Sequence, residues 1–317
     1  MDFLINLLGL SFSLAVLIWG ADKFVDSASA LAKKFGINEL TIGLTVIALG
    51  TSAPEIFVGI SSVLNQSESI AMGTVVGSNI SNIALIFGVS CIGISFKPKN
   101  TPFVQFLPFL LSALILGLCL KDLNVSALDG ILLLLVFIYF LYVTFKNKSI
   151  GDVGPTYNQS IENGSLASIL LVSGFIALIL GSRYAVIYAE NIAVLLNISE
   201  LVIGLTIIAI GTSLPELAAT INAILKKKTD MVVGNVIGSN VLNITLVVPI
   251  IGFFSTVQLE TILFNRDYLV MIIATVIFIS LVILCSSKYF NLTMIRLVGL
   301  LLVFGYFFYL LSLSNLV

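Results

Sequence analysis

The segment GTSAPE at residues 50–55 lies inside an otherwise apolar stretch, and it recurs as GTSLPE at residues 211–216, an offset of 161 residues. Over the nineteen positions 37–55, fourteen residues are identical to those at the same offset, without a gap. The offset also repeats small and polar residues farther along, pairing Gly73, Gly77, Ser78, Asn79 and Asn82 with Gly234, Gly238, Ser239, Asn240 and Asn243. Two unrelated apolar helices would share far fewer residues. The sequence is therefore an internal duplication whose best-matched part is polar.

The composition indicates a protein with many membrane crossings. The 317 residues are 59% hydrophobic and 10% charged, with a mean hydropathy of +1.16, whereas soluble domains carry about 25% charged residues. A net charge of −1 gives no indication of a nucleic-acid partner. Histidine is absent, which excludes imidazole metal ligands and imidazole proton relays. The three cysteines are scattered in apolar segments, which favours buried thiols over a disulfide or a metal site.

Ten segments are long and apolar enough to cross a bilayer, since a spanning helix needs roughly 20 mostly apolar residues. They are residues 3–30, 39–64, 70–94, 103–120, 126–145, 166–194, 200–225, 231–254, 267–286 and 292–314. The polar connection at 146–165 separates two groups of five. We therefore predict an all-α membrane protein in three parts. These are a first five-helix repeat at 1–145 with its best-matched part at about 39–94, a cytoplasmic linker at 146–165, and a second five-helix repeat at 166–317 with its best-matched part at about 200–254.

The odd number of crossings in each repeat predicts an inverted arrangement. Two copies with five spans each enter the membrane from opposite sides, and an axis in the membrane plane relates them. The loop charges agree, because one side carries only Lys121 and Arg266. The other side carries Lys33, Lys34, Lys97, Lys99, Lys146, Lys148, Lys226, Lys227, Lys228 and Lys288. Basic loops favour the cytoplasm, so both termini are predicted to be extracellular.

Glu55 and Glu216 are the carboxylates that the sequence places in the middle of predicted spans. A charged carboxylate at the bilayer centre costs about 2.5–3.5 kcal/mol on insertion scales. Two protonated glutamates that serve only helix packing are the structural alternative. A cation pathway is favoured, because neither position faces a basic residue in the predicted arrangement. Pro54 and Pro215 precede these glutamates and should break their helices, freeing backbone carbonyls around 48–50 and 209–211 to point into the site.

The third and eighth predicted spans add further oxygen ligands. Ser78 and Asn82 are four residues apart, as are Ser239 and Asn243, so each pair lies on one helix face. Glycines one turn away allow close helix approach, while Asn79 and Asn240 should point elsewhere and serve helix contacts or local backbone bonds. Together with the Thr-Ser pairs, the cluster offers oxygen and no sulfur or nitrogen ligand. Such a shell suits sodium, calcium, magnesium or manganese, and cations that compete for one site can be exchanged.

At these residues the chain resembles the sodium/calcium exchanger family of the cation/calcium antiporter superfamily, in its prokaryotic branch without a regulatory domain. The resemblance covers the whole chain and rests on the duplicated Gly-Thr-Ser-x-Pro-Glu and Gly-Ser-Asn motifs. It implies a secondary active antiporter that exchanges Na⁺ for Ca²⁺ by alternating access at a central two-glutamate site. It also implies a multi-pass protein of the prokaryotic plasma membrane that works as a monomer, needs no cofactor and has the two ions and the lipid bilayer as its partners.

The resemblance also assigns the ion ligands by position. They are Ala48, Thr51, Ser52, Glu55, Ser78 and Asn82 in the first half and Ala209, Thr212, Ser213, Glu216, Ser239 and Asn243 in the second, with Ala48 and Ala209 acting through their carbonyls. In the family, the first and sixth helices slide across the other eight. Asn243 stands where better-known prokaryotic exchangers carry an aspartate, so this site has one titratable carboxylate fewer and is more symmetric.

Other functions remain open at the level of sequence. The same fold could exchange calcium or manganese for protons, although the Gly-Asn-x-x-Glu motif typical of proton-coupled relatives is absent. A cation channel is also compatible with broken helices and central acids, but an inverted duplication favours alternating access. An enzyme is not expected, because no Ser–His pair, zinc motif or aspartyl pair is present.

Overall fold

The computed structural model of the chain describes residues 2–64, 68–93, 101–146, 164–196, 213–254, 259–285 and 291–313. The regular elements in these ranges are all helices. Among them, eight are long and apolar enough to cross a membrane: Asp2–Ala32, Ala71–Ile92, Phe103–Lys121, Ala127–Lys146, Ser165–Ala189, Thr229–Phe254, Leu263–Cys285 and Leu292–Leu313. The all-α membrane fold is thereby confirmed. The count of ten spans, the inverted repeats, the repeat boundaries and the extracellular termini stay predictions.

The first half of the chain contains eight α-helical segments and two π-helical segments in the described residues. They are α1 (Asp2–Lys34), α2 (Glu39–Ile42), π1 (Gly43–Ile47), α3 (Ala48–Thr51), α4 (Ala53–Leu64), α5 (Glu68–Ser81), π2 (Asn82–Phe87), α6 (Gly88–Ile92), α7 (Phe106–Lys121) and α8 (Ala127–Lys146). A short 3₁₀ turn at Phe103–Gln105 leads into α7. Because α2, π1 and α3 follow one another directly, they form a single helical run, Glu39–Thr51.

The described part of the second half repeats this pattern where the sequence repeats. Its elements are α9 (Gly164–Leu195), α10 (Leu214–Leu225), α11 (Thr229–Leu242), π3 (Asn243–Val247), α12 (Val248–Phe254), π4 (Leu263–Tyr268), α13 (Leu269–Cys285) and α14 (Leu292–Leu313). The predicted linker falls almost wholly outside the described residues, as does the segment 201–212.

Both Pro-Glu motifs lie at the start of a helix. In the first half, Ser52 has φ −83° and ψ 1°, which ends α3 and separates it from α4. In the second half, Ser213 has nearly the same conformation, φ −92° and ψ 6°, directly before α10. Pro54 and Pro215 therefore occupy first turns, where a residue without an N–H is tolerated. The predicted interruption of the second span is confirmed. In the second copy of the motif, the described residues begin at Ser213, so they include only the turn and the helix after it.

Two π-helical segments begin at equivalent positions of the duplication. The segment π2 starts at Asn82 and π3 starts at Asn243, which is the same residue displaced by the repeat offset. A π-helical turn adds a residue to the helix and is often found at functional sites. No pattern in the sequence indicated these π-helical segments. They shift the register of the helix immediately after each candidate asparagine ligand.

The helices with the Gly-Ser-Asn motifs form the centre of the bundle. The continuous runs Ala71–Ile92 and Thr229–Phe254 are each 83% buried, whereas the run Asp2–Ala32 is only 17% buried. The helix α11 packs against α2, π1 and α3 through facing glycines. A Cβ added to Gly234 would lie 2.8 Å from the backbone nitrogen of Leu44, and one added to Gly238 would lie 2.6 Å from the Cβ of Ala48. The close approach predicted from the glycine spacing is thus confirmed in the second half.

The two longest helices, α1 and α9, pack along each other at the outside of the bundle. Glycines make this contact close as well: a Cβ on Gly20 would lie 2.5 Å from the nitrogen of Leu178, and one on Gly174 would lie 2.7 Å from the nitrogen of Phe24. Both helices expose most of their surface, as expected for contact with lipid. The pair can therefore approach backbone to backbone without large side chains between them.

One end of α1 is bound to the chain segment after α10 by ion pairs. The Nζ atom of Lys226 pairs with Asp22 and lies 2.8 Å from Oδ1 of Asp26. Lys228 lies 3.6 Å from the same oxygen and donates a hydrogen bond of 2.7 Å to Ser29. Burial lowers the pKa of Lys228 below its ordinary value, with neighbouring carboxylates acting in the opposite direction. These contacts place the basic segment 226–228 beside the C-terminal half of α1.

Candidate functional site

The first-half candidate residues come together at the break between α3 and α4. Thr51 ends α3, Ser52 forms the turn, and Glu55 lies in the first turn of α4. All three side chains are buried, although each is polar. Ala48, one turn before Ser52, is also fully buried. Buried polar side chains therefore line the break between α3 and α4.

The second half places its glutamate in the same way. Glu216 lies in the first turn of α10, directly after the turn at Ser213, and both side chains are buried. Ser239 and Asn243 are buried at the junction of α11 and π3, as Ser78 and Asn82 are at the junction of α5 and π2. The other two candidate ligands, Ala209 and Thr212, lie outside the described residues.

A hydrogen bond joins the two acidic motifs directly. The Ser52 hydroxyl donates to Oε1 of Glu216 over 3.2 Å, although the residues are 164 positions apart. Glu55 lies one helical turn after Ser52, and the two carboxyl groups are close enough to interact electrostatically. Within the described residues neither glutamate forms an ion pair with a basic side chain. The two buried carboxyl groups thus lie near each other, and no basic side chain of the described residues is paired with either.

The two asparagine-bearing helices also meet at this position. The Asn82 amide nitrogen donates to Oδ1 of Asn240 over 3.3 Å. Asn240 thus serves a contact between helices, as expected, but the expectation that it points away from the candidate ligands is wrong, because its partner is Asn82. Asn79 behaves as expected and donates to the carbonyl of Val75 over 2.7 Å on its own helix. Equivalent positions of the duplication thus take different partners once the halves are packed together.

Many polar atoms of this cluster are buried without a hydrogen-bond partner among the described residues. The oxygens are Glu55 Oε1 and Oε2, Asn82 Oδ1, Ser213 Oγ, Glu216 Oε2, Ser239 Oγ and Asn243 Oδ1. Each buried unsatisfied polar atom costs about 1–3 kcal/mol, and more if it is charged. Folded proteins normally pair such atoms with protein or water. A concentration of orphaned oxygens at one place therefore indicates that a ligand completes the site.

A third buried acid shows what a structural carboxylate looks like in this protein. Asp267 in π4 is 8% exposed. It accepts hydrogen bonds from Arg266 Nε over 2.7 Å and from the Tyr309 hydroxyl over 3.1 Å. Sequence reasoning gave this residue no role, because it falls at the edge of a predicted span. Both carboxylate oxygens of Asp267 accept hydrogen bonds, whereas neither carboxylate oxygen of Glu55 has a hydrogen-bond partner among the described residues.

The backbone contributes less free oxygen than the sequence predicted. The Ala48 carbonyl accepts the Ser52 N–H over 2.9 Å and lies 3.4 Å from the Thr51 hydroxyl. The expectation of a freed carbonyl at Ala48 is therefore wrong, because α3 keeps its last helical bond through the break. A carbonyl oxygen has a second lone pair, so Ala48 still offers one position to a cation. Pro54 has no N–H to give to the carbonyl of Gly50.

Two polar residues outside the repeated motifs extend the cluster. Asn235 on α11 and Thr220 on α10 are both buried, and the Asn235 amide nitrogen lies 3.3 Å from the Thr220 hydroxyl. The Asn235 oxygen lies 3.3 Å from the Thr51 hydroxyl, so this amide reaches the candidate ligands of the first half. The available signal was an asparagine in the middle of an apolar span, eight residues before Asn243.

The chemistry of this cluster fits hard cations. Its free atoms are carboxylate, hydroxyl and amide oxygens, which suit sodium or calcium better than zinc or copper. No group of three or more His, Cys, Asp or Glu side chains occurs within the ranges that the structure covers. The helical run Glu39–Thr51 ends at the site, and carbonyl groups at a helix C-terminus favour cations. A divalent ion would balance two carboxylates, and so would two monovalent ions.

Comparison with known proteins places this fold and site in a family. The family model described as sodium/calcium exchanger protein matches residues 5–146 and 166–314. The inner membrane protein YrbG of Escherichia coli is 36% identical over 277 residues, covering 84% of this chain and 85% of that protein. The sodium/calcium exchanger MaX1 of Methanosarcina acetivorans is 33% identical over 297 residues, covering 80% and 83%.

A solved structure extends the similarity to the fold. The sodium-calcium exchanger NCX_Mj, in a crystal soaked with 10 mM Na⁺ and no Ca²⁺, superimposes with a TM-score of 0.82 at 31% sequence identity. The superposition covers 98% of this chain and 99% of that one. The family match spans nearly the whole sequence, and bacterial and archaeal relatives match most of its length. This multi-pass membrane protein therefore belongs to the sodium/calcium exchanger family.

Proposed function

We propose that the chain is a secondary antiporter that exchanges Na⁺ for Ca²⁺ across the membrane at the site between Glu55 and Glu216. The observation that carries the proposal is the group of orphaned oxygens around two buried glutamates from the two halves of the chain. Their charge and chemistry suit one Ca²⁺ or two Na⁺ ions, but not both sets at once. Competition for one site then couples the two fluxes. Family membership and the similarity to NCX_Mj support the same assignment.

The described residues of the twelve-residue ligand set take direct or supporting roles in this proposal. Glu55 and Glu216 supply the charge, while the hydroxyls of Thr51, Ser52 and Ser213 complete the shells. Ser78, Asn82, Ser239 and Asn243 supply neutral oxygens from α5, π2, α11 and π3. The carbonyl of Ala48 contributes its second lone pair. Ala209 and Thr212 would mirror Ala48 and Thr51.

Alternating access in this proposal uses the pair α1 and α9. Both helices pack through glycines and have little of their surface buried, so they can move as a unit relative to the central helices. The central helices hold the ligands and stay fixed. The bound ions then face one side of the membrane or the other without a continuous pore, as expected for an exchanger rather than a channel or an enzyme.

The test is calcium uptake into proteoliposomes under an imposed sodium gradient. We expect uptake that depends on the sodium gradient in the natural protein and is abolished in Glu55→Gln. The matched control is Glu260→Gln, which removes an exposed carboxylate outside the site. Uptake that follows a pH gradient with sodium held equal on both sides would instead establish proton coupling. Currents far above transporter turnover would establish a channel, and full uptake by Glu55→Gln would refute the site.

A further inference from the structure

Asn235 is a buried amide that the sequence duplication does not account for. The offset of 161 residues relates Asn235 to Thr74, so the two halves differ at this position. The Asn235 side chain is only 2% exposed and makes two hydrogen bonds, one to each half of the protein. Its oxygen accepts from Thr51 at the end of α3, and its nitrogen donates to Thr220 on α10. A buried amide with this arrangement connects the end of α3 to the acidic helix α10 through α11.

The Thr51 hydroxyl has one hydrogen and two oxygen lone pairs. A cation binds the lone pairs, so the hydrogen has to point away from the ion toward an acceptor. The Ala48 carbonyl lies 3.4 Å away and already accepts the Ser52 N–H over 2.9 Å. The Asn235 oxygen lies 3.3 Å from the hydroxyl. The Glu216 carboxylate also lies near this hydroxyl, but its oxygens are themselves candidate ligands of the ion. If Asn235 accepts the hydrogen, the Thr51 lone pairs are left for the ion.

The orientation of the Asn235 amide is itself fixed by α10. Its nitrogen lies 3.3 Å from the hydroxyl of Thr220, which is one helical turn after Glu216. With the nitrogen directed to Thr220, the oxygen is directed to Thr51. Gly234, the preceding residue, brings the backbone of α11 against π1, and this close contact lets a short amide side chain reach α3.

We infer that Asn235 is a positioning residue of the ion site, which turns the Thr51 hydroxyl so that its oxygen faces the bound cation. The inference deepens the proposed function and rests on it. It also makes the two halves unequal. Thr51 faces an amide with a fixed acceptor, whereas the residue equivalent to Asn235 in the duplication is Thr74, whose hydroxyl can either donate or accept. Removal of a group that hydrogen-bonds to a metal ligand and orients it lowers metal affinity roughly 10–100-fold.

The test is a double-substitution cycle read out as ion binding by the purified protein. Binding of Na⁺ or Ca²⁺ to the folded state raises the melting temperature, and the dependence of this shift on ion concentration, which sets in near the dissociation constant, reports the affinity. Asn235→Leu removes the acceptor, and Thr51→Val removes the hydroxyl while keeping its shape. Asn79→Leu is the control, because it removes an equally buried amide that bonds only within its own helix in the described structure.

We expect Asn235→Leu to raise the dissociation constant of at least one ion about tenfold, and Asn79→Leu to leave the dissociation constants of both ions unchanged. The double variant should be no weaker than Thr51→Val alone, because the amide acts only through that hydroxyl. Asn235→Asp, which keeps an acceptor oxygen, should recover most of the loss. Additive losses in the double variant, or an Asn235→Leu protein that binds both ions normally, would overturn the inference.

Sodium-driven calcium uptake separates this inference from the proposed function. Additive losses together with normal uptake by the natural protein would refute the role of Asn235 and leave exchange intact. A non-additive cycle in a protein without sodium-driven uptake would support the role of Asn235 and refute exchange. A natural protein that is stabilised by neither ion would refute both.

Discussion

Replacement of Gly238 by alanine tests whether the contact between α11 and the helical run Glu39–Thr51 sets the geometry of the ion site. The added Cβ would lie 2.5 Å from the carbonyl oxygen of Leu44 and 2.6 Å from the Cβ of Ala48. Ordinary contacts begin near 3.4 Å, so the helices have to separate by about 0.9 Å. Overpacking of this kind costs about 1–3 kcal/mol of stability.

The larger effect of this substitution should be on ion affinity. Gly238 immediately precedes the candidate ligand Ser239, and Ala48 lies on the same helical run as Thr51. A separation of the two helices therefore moves ligands of one half away from those of the other. Displacements near 1 Å reduce the function of preorganised sites by about 10²-fold. We expect Gly238→Ala to weaken Na⁺ and Ca²⁺ binding roughly 10–100-fold.

The assay is ion-dependent thermal stabilisation of the purified protein, with calcium uptake in proteoliposomes as a second readout. Gly305→Ala is the matched control, since a Cβ on that exposed glycine of α14 meets nothing within 4 Å in the described structure. Its ion affinities and uptake should equal those of the natural protein. A folded Gly238→Ala protein with unchanged affinity for both ions would refute the claim that this helix contact sets the ligand positions.

Three further substitutions separate ion ligands from structural contacts. Ser52→Ala removes a candidate ligand and its hydrogen bond to Glu216, so ion affinity should fall by about 1 kcal/mol, or roughly fivefold; unchanged ion titrations would contradict this. Asp267→Asn should lower the free energy of unfolding by about 1–3 kcal/mol and leave ion affinity unchanged; weaker ion binding would contradict it. Lys226→Met removes ion pairs to carboxylates that are 35% and 37% exposed, so the loss should be within about 1 kcal/mol per pair and shrink in high salt. A loss that salt does not change, measured by thermal unfolding in detergent, would contradict the last prediction.

The helix break at each acidic motif could be predicted because a local rule determines it. A proline within an apolar span removes a backbone bond wherever the span is packed, and the turns at Ser52 and Ser213 follow from Pro54 and Pro215. The glycine spacing was equally informative, since only a residue without Cβ allows the approach seen at Gly238. Both features are properties of a single helix and need no knowledge of its neighbours.

The polar contacts between helices could not be predicted in the same way. Asn79 and Asn240 occupy equivalent positions of the duplication, yet one bonds to its own helix and the other to Asn82 of the opposite half. The choice depends on which helices are adjacent after packing. Asn235 likewise reaches Thr51 across 184 residues of sequence. The π-helical segments also escaped prediction, because their register depends on tertiary packing rather than on a local residue pattern.

Exchange by competition requires that one position between Glu55 and Glu216 is occupied by different cations in turn. The most direct measurement is anomalous diffraction from crystals containing Sr²⁺ as a substitute for Ca²⁺, collected at low and high Na⁺. We predict an anomalous peak between the two carboxyl groups at low Na⁺ that disappears as Na⁺ is raised. A peak that lies away from both carboxyl groups, or one that persists unchanged in saturating Na⁺, would contradict the account.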